Sequence, residues 1–222
     1  MTVVMVAAPH PDDETLGCGG TLLRHRAEGD EVHWLIMSRI SVEMGYDQDK
    51  VSSRSLEIES VSRAYGCSSV HQAPFDATSL DTYSKRTLVN CVSEYVNKIT
   101  PEIVYLPNYQ DAHSDHGVVF DAISACVKQF RYPFVKKVRM YEVLSETEFG
   151  MRIDGSGFRP NLWVDISAFL EQKIKIAKIY KSEMGVHPFP RSESALRALA
   201  CLRGARAGVD AAEGFVTLEE IE

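Results

Sequence analysis

Two short stretches hold most of the ionisable side chains that could do chemistry together. Directly after an apolar run, "VVMVAA", comes His10-Pro11-Asp12-Asp13-Glu14, one imidazole and three carboxylates. Much further along, after a second apolar run, comes Asp111-Ala112-His113-Ser114-Asp115-His116. Two imidazoles and a carboxylate, His10, His116 and Asp13, suit Zn²⁺, and three protein ligands leave one position for water, the mark of a catalytic rather than a structural site. The same donors accept Fe²⁺ or Mn²⁺. Asp12 and Asp13 are adjacent and point different ways, so one can bind metal while the other faces the bound water as general base. Zn²⁺ lowers the pKa of that water from about 15.7 towards about 7, within reach of a carboxylate base. His113 precedes His116 by one helical turn. With His116 on the metal, His113 could stabilise a developing oxyanion as imidazolium or protonate a leaving amine. Asp115 or Asp111 could accept its other N–H.

Each piece has a plainer reading. Asp12 and Asp13 could cap a following helix, with Glu14 in its first turn, and His113 and His116 could be loop residues. The joint occurrence of His-x-x-Asp after one apolar run and His-x-x-His after another favours the metal. The glycines of "LGCGG" do not make a dinucleotide loop: Gly17, Gly19 and Gly20 follow three carboxylates, and no third glycine falls in register. They read as sites of close helix–sheet packing, with Cys18 a buried core residue rather than a thiolate ligand.

The elements that must carry these clusters alternate along the chain. Strands are expected at 3–8, 31–38, 70–75, 101–107, 136–144 and 161–167, and helices at 15–30, 53–66, 87–100, 117–130, 168–183 and 192–208. Residues 39–53 read as a polar loop, and Leu56, Val61 and Ala64 as the apolar face of the helix after it. Such alternation implies right-handed crossovers and a mostly parallel sheet with helices on both faces. The expected fold is α/β, a three-layer Rossmann-like arrangement in a single domain over residues 1–222. Ligands of such sheets bind beyond the carboxyl ends of the strands, and both clusters follow strands, so they share one rim.

Composition narrows the partners. The 222 residues are 45% hydrophobic and 25% charged, with a net charge of −7. The basic residues are dispersed, which argues against nucleic acid. No apolar stretch approaches the ~20 residues of a membrane span, and "MTVVMVAA" lacks the positive n-region of a signal peptide. The five cysteines form no CxxC pair, which excludes a thiolate zinc finger and suits reduced thiols. A cytoplasmic location is expected.

"AAPHPDDETLGCGG" followed by "DAHSDH" resembles the LmbE/PIG-L family of metal-dependent N-acetylglucosaminide deacetylases, which includes the deacetylases of phosphatidylinositol-anchor, mycothiol and bacillithiol synthesis. "RSLEIESVSRAYG" is similar to that family's Arg-x-x-Glu helix, "PFDA" to its aspartate after the third strand, and "VDIS", Lys173, Ala177, Tyr180-Lys181-Ser182 and "AEGF" to its C-terminal part. The resemblance implies that His10, Asp13 and His116 bind the metal and that Asp12 is the general base. It makes His113 the oxyanion stabiliser or general acid, partnered by Asp115. Arg54 and Asp76 fall where the family contacts substrate hydroxyls, although Arg54 could equally pair with Glu57 and Asp76 cap a turn. The implied reaction is hydrolysis of the N-acetyl group of an N-acetylglucosamine-type sugar or conjugate by a metal-bound water, with Zn²⁺ (or Fe²⁺ or Mn²⁺) as cofactor; related enzymes often assemble as homo-oligomers, but the sequence does not give the oligomeric state. Two features depart from the family's usual pattern: the loop 39–52 lacks its glycine-rich character, and Ser182-Glu183 replaces Ser-Gln. The rival readings are a related metal-dependent amidase acting on another amide conjugate, a non-hydrolytic nucleotide-binding α/β module, and a regulatory metal-binding protein.

Overall fold

Along β1 (Val3–Ala8), Val4, Val6 and Ala8 face one way and Met5 and Ala7 the other, and all five are fully buried. A strand with apolar side chains on both faces has to lie inside a sheet covered on both sides. The computed structural model, which describes residues 1–151 and 157–222, shows that sheet. Its strands are β1, β2 (Glu31–Ile36), β3 (Ser69–Gln72), β4 (Ile103–Pro107), β5 (Lys137–Tyr141), β6 (Leu162–Asp165) and β7 (Ala212–Glu220). They lie in the order β3-β2-β1-β4-β5-β7-β6. The pairs from β3 through β5 are parallel, and β7 runs antiparallel to both of its neighbours.

The helices are α1 (Asp13–Ala27), α2 (Gln48–Tyr65), α3 (Lys85–Ile99), α4 (Ser114–Ala125), α5 (Leu170–Ala177) and α6 (Glu193–Ala207). Val4, Val6 and Trp34 form one core layer with Leu22 of α1, Val61 of α2, Ile174 of α5 and Leu196 of α6. Met5, Leu35 and Val104 form the other with Val92 of α3 and Val119 of α4. This is the three-layer α/β arrangement expected from the alternation. The chain builds outward from β1 through β2 and β3, then returns to β4 on the other side. The reversal opens a crevice beyond the carboxyl ends of β1 and β4, and both ionisable clusters sit there.

Several boundaries differ from the sequence expectation. The helix expected from residue 53 begins at Gln48, because the Asp47 carboxylate accepts the Lys50 N–H at 2.7 Å and caps it. Its inward face is Ile58, Val61 and Tyr65, while Leu56 is 63% exposed. The helix expected to reach residue 183 stops at Ala177. The last strand, β7, has no counterpart in the expectation: its second half is polar and ends in Glu219 and Glu220, yet its first half is buried between β5 and β6. The cysteines are all free, as expected; Cys18 and Cys126 are buried, but Cys201 is exposed.

The helix that leads away from the first cluster is broken. Cys18 leaves helical geometry at φ −137°, ψ 20°, so the backbone groups on either side lose their helical partners. A buried ion pair replaces them. Lys173 Nζ donates to the Leu16 carbonyl at 3.0 Å and to Glu213 at 2.7 Å. The Glu213 carboxylate in turn accepts the N–H groups of Gly20 and Thr21 and the Thr21 hydroxyl. The glycines let the break pack closely, since a Cβ on Gly17 would lie 2.2 Å from the Tyr141 ring and one on Gly20 2.7 Å from Ile166. Glu213 and Lys173 are 5% and 4% exposed, so removing one charge strands the other. Glu213→Gln is expected to destabilise the protein by about 3–5 kcal/mol. Chemical denaturation followed by circular dichroism measures it, and a loss under about 1 kcal/mol would show that the pair is not what holds the break.

Candidate metal centre

The chain leaves β1 at Ala8 and turns sharply into α1. Asp12 occupies φ 138°, ψ −29° at this turn, a left-handed region that non-glycine residues adopt only when the surroundings enforce it. Glu14 supplies part of that enforcement: its Oε2 accepts the Asp12 N–H at 3.1 Å, while Oε1 accepts the Thr15 and Tyr180 hydroxyls. Burial pushes the Glu14 carboxyl up to about 7. The turn aims His10 and Asp13 at one point. The Asp13 Oδ2 accepts the backbone N–H of His10 at 2.8 Å and lies 3.4 Å from His10 Nδ1.

From the other side of the crevice comes His116 on α4, one turn inside a helix capped by His113. His116 Nε2 lies 3.4 Å from the same Asp13 Oδ2. This nitrogen is buried and has no hydrogen-bond partner among the described residues. Its ring partner is fixed: Nδ1 donates to Asp111 Oδ2 at 2.7 Å, and Asp111 is itself held by Asn108 and Thr147 at 2.7 and 2.6 Å. His10 is braced in the same way. Its Nε2 donates to Asp115 Oδ2 at 3.0 Å, and Asp115 also accepts the N–H groups of Thr78 and Leu80. A carboxylate on the far nitrogen of each ring leaves the near nitrogen with a lone pair, as metal-binding histidines are usually held. His10 Nδ1, Asp13 Oδ2 and His116 Nε2 thus face one another, and the ligand atoms available on these residues fall within 4.8 Å of one another. An orphaned, buried imidazole nitrogen beside a carboxylate and a second imidazole fits a divalent cation of the Zn²⁺ type.

Without a cation, protons take its place. Burial works against charge on His10, but its hydrogen bonds to Asp115 and Asp13 outweigh it and push its pKa up to about 9. Burial likewise opposes charge on His116, and Asp13 and Asp111 push it up to about 10. Burial alone would raise Asp13; the neighbouring His116 and His10 hold it far below the carboxylate range instead. Asp12 behaves oppositely, raised by burial and by the Asp13 charge.

A cavity of about 230 Å³ opens over this point, bordered by Asp12, Asp13, His10, His113, Arg54 and Arg191 among others. His113 sits beside His10, with ring centroids 4.5 Å apart. Its environment corrects the sequence expectation. Neither Asp115 nor Asp111 accepts a proton from this ring, since each is taken by a different histidine. Instead His113 Nδ1 accepts the Asp115 backbone N–H at 3.1 Å. An accepting Nδ1 carries no proton, so the ring is neutral with its hydrogen on Nε2. Burial, with His10 beside it, lowers its pKa in the same sense.

Arg54 reaches the cavity wall, but its donors are committed to the protein. They go to the Pro11 carbonyl at 3.1 Å, to the Ser182 hydroxyl at 3.1 Å and to Glu183, with Glu57 at 3.5 Å. Asp76 is not among the residues that line the cavity, although Ala77 and Thr78 beside it are. Sequence reasoning did not single out three further groups. Arg191 pairs with Asp12 at 3.0 Å. Glu146 accepts the backbone N–H of His113 at 3.1 Å. Thr147 holds Asp111. None stands near a recognisable motif; only Glu183, a departure from the resembled pattern, carried a signal.

Comparison with known proteins shows the family. The profile of the PIG-L family, GlcNAc-PI de-N-acetylase, matches residues 5–127, which contain both clusters. The diacetylchitobiose deacetylase of Thermococcus kodakarensis is 27% identical over an alignment 226 residues long, covering 96% of this chain and 81% of that protein. Among solved structures, a conserved protein of Thermus thermophilus superposes with a TM-score of 0.80 at 28% identity, covering 100% of this chain and 97% of that one. The N,N′-diacetylchitobiose deacetylase of Pyrococcus horikoshii, solved with its inhibitor MPG, has a TM-score of 0.77 over 98% of this chain and 84% of its own; at 24% identity it speaks to the fold. With its sheet, its crevice and the matched residues in hand, the chain belongs to the PIG-L family.

Proposed function

We propose that the protein is a metal-dependent deacetylase that hydrolyses the N-acetyl group of an N-acetylglucosamine-type sugar or conjugate. The observation that carries this reading is the unpartnered, buried Nε2 of His116 aimed at Asp13 and His10, with Asp12 on the rim of the same cavity. The family and the diacetylchitobiose deacetylase relative supply the substrate class.

When bound, a divalent cation acidifies a water molecule and polarises the acetyl carbonyl. His10, Asp13 and His116 would hold it, with Asp115 and Asp111 keeping both imidazoles in the ligating tautomer. Asp12 takes a proton from the attacking water. Its burial, with Asp13 beside it, makes the carboxylate a stronger base than a free aspartate. His113, neutral and carrying its hydrogen on Nε2, donates to the oxygen of the tetrahedral carbon as negative charge develops there. The new C–O bond forms on the acetyl carbon, the C–N bond breaks, and the proton held by Asp12 passes to the leaving amine.

The test is acetate release from a panel of N-acetylglucosaminides, including N,N′-diacetylchitobiose, with and without a chelator. Turnover that stops with chelator and returns with Zn²⁺, Fe²⁺ or Mn²⁺ supports the reading, and chelator-insensitive turnover overturns it. Asp12→Asn should keep its metal and lose about 10²–10⁴-fold in kcat, whereas His116→Ala should lose the metal itself. Metal content by elemental analysis separates the two.

The raised histidines make a second prediction. Below about 9 His10 holds a proton, and below about 10 so does His116, and a metal must displace both. Metal affinity is therefore expected to rise with pH through the neutral range, with nearly two protons released per ion at pH 7. Calorimetric titration in buffers of different ionisation enthalpy counts those protons.

A further inference from the structure

Asp12 is held at three points, and the third is supplied by a distant part of the chain. Its N–H goes to Glu14 at 3.1 Å and its carbonyl to the Leu16 N–H at 2.8 Å. Its carboxylate Oδ2 accepts from Arg191 Nη1 at 3.0 Å. No described residue donates to Oδ1. Arg191 stands at the end of the loop between α5 and α6. Its own backbone is anchored: its carbonyl accepts the Gly185 N–H at 2.9 Å, and the following Ser192, almost wholly buried, caps α6. The same Nη1 lies 3.4 Å from Glu183, which also pairs with Arg54. The loop that carries Arg191 is thus anchored before its Nη1 meets Asp12, while its Nε is buried without a hydrogen-bond partner among the described residues.

A clamp is needed there on electrostatic grounds. Asp12 and Asp13 are neighbouring buried carboxylates, 4% and 3% exposed, and Glu183 adds a third negative charge nearby. Left alone, the Asp12 side chain would be repelled from Asp13 and turn away from the cavity. An arginine fixed on Oδ2 opposes that repulsion and determines which oxygen faces the reacting water.

We propose that Arg191 is the positioning residue of the reaction, holding Asp12 by Oδ2 so that Oδ1 is the atom that takes the proton. This rests on the reading of Asp12 as the base. Arg191 touches neither metal ligand nor reacting atom in this role; it acts through Asp12, and Glu183 acts through Arg191.

The experiment compares Arg191→Gln, Arg191→Lys, Asp12→Asn and the double variant in the metal-loaded enzyme, with acetate release from the N-acetylglucosaminide cleaved best in the panel. Arg191→Gln is expected to lower kcat by about 10²-fold, the scale of a misplaced catalytic group. KM and bound metal should stay unchanged. Arg191→Lys, or added guanidinium ion with Arg191→Gln, should recover part of the loss. In the Asp12→Asn background, Arg191→Gln should cost nothing further, because the two act as a unit. A crystal structure of Arg191→Gln reads the claim without turnover, by an Asp12 side chain swung from its present position. Four results would overturn the proposal: an unmoved Asp12, an unchanged kcat, a rise in KM alone, or multiplicative losses in the double variant. An Asp12→Asn protein of full activity would instead sink the underlying reading of the base, whatever Arg191 does.

Discussion

The Asp13 carboxylate, caught between two imidazoles, is the contact from which the rest of the site follows. Each of those imidazoles is in turn braced by another carboxylate, Asp115 behind His10 and Asp111 behind His116. Three buried acids and two histidines in contact form a cluster that is stable only when cations occupy it, whether protons or a metal ion. In the metal-free protein protons do so, which is why both histidines titrate far above their usual range. The same arrangement explains why the far nitrogens are so firmly assigned: a ring that turned over would set a lone pair against a carboxylate.

Holding that cluster places demands on the scaffold. The residues come from the ends of β1 and β4, neighbours at the point where the strand order reverses, so two short loops suffice to bring His10 and His116 together. The turn after β1 is strained at Asp12 and held by Glu14, while α1 breaks at Cys18 close behind it. Lys173 and Glu213, from α5 and β7, satisfy the backbone groups freed by the break. The described residues of the C-terminal third supply none of the three facing side chains His10, Asp13 and His116, yet they support the helix behind them and, through Arg191, hold Asp12.

His113 shows how a single neighbour changes a residue's chemistry. An imidazolium at this position would need a carboxylate on its second nitrogen. The structure offers a backbone N–H instead, because the aspartates nearby already brace His10 and His116. The ring is neutral with its hydrogen left on Nε2, which in the proposed reaction would suit an oxyanion that also faces a cation and needs direction more than extra charge.

The apolar runs of β1, β2 and β4, the positions of most helices, and the two clusters with their metal-ligand spacing were all legible in the sequence, because each depends on residues close together in the chain. A short run of apolar residues marks a strand buried on both faces, and a motif such as His10-x-x-Asp13 carries its own local geometry. What lay beyond the sequence depends on contacts across the fold. β7 could not be read because its burial comes from β5 and β6 rather than from its own composition, and the resemblance assigns Asp115 to His113, whereas its carboxylate braces His10. Only the packed structure decides which histidine each aspartate braces, which arginine reaches Asp12, and that Arg54 spends its donors on Pro11, Ser182 and Glu183. The types of chemistry were written locally; the pairing of charges was decided by distance in space, where Coulomb interactions and hydrogen bonds act irrespective of chain separation.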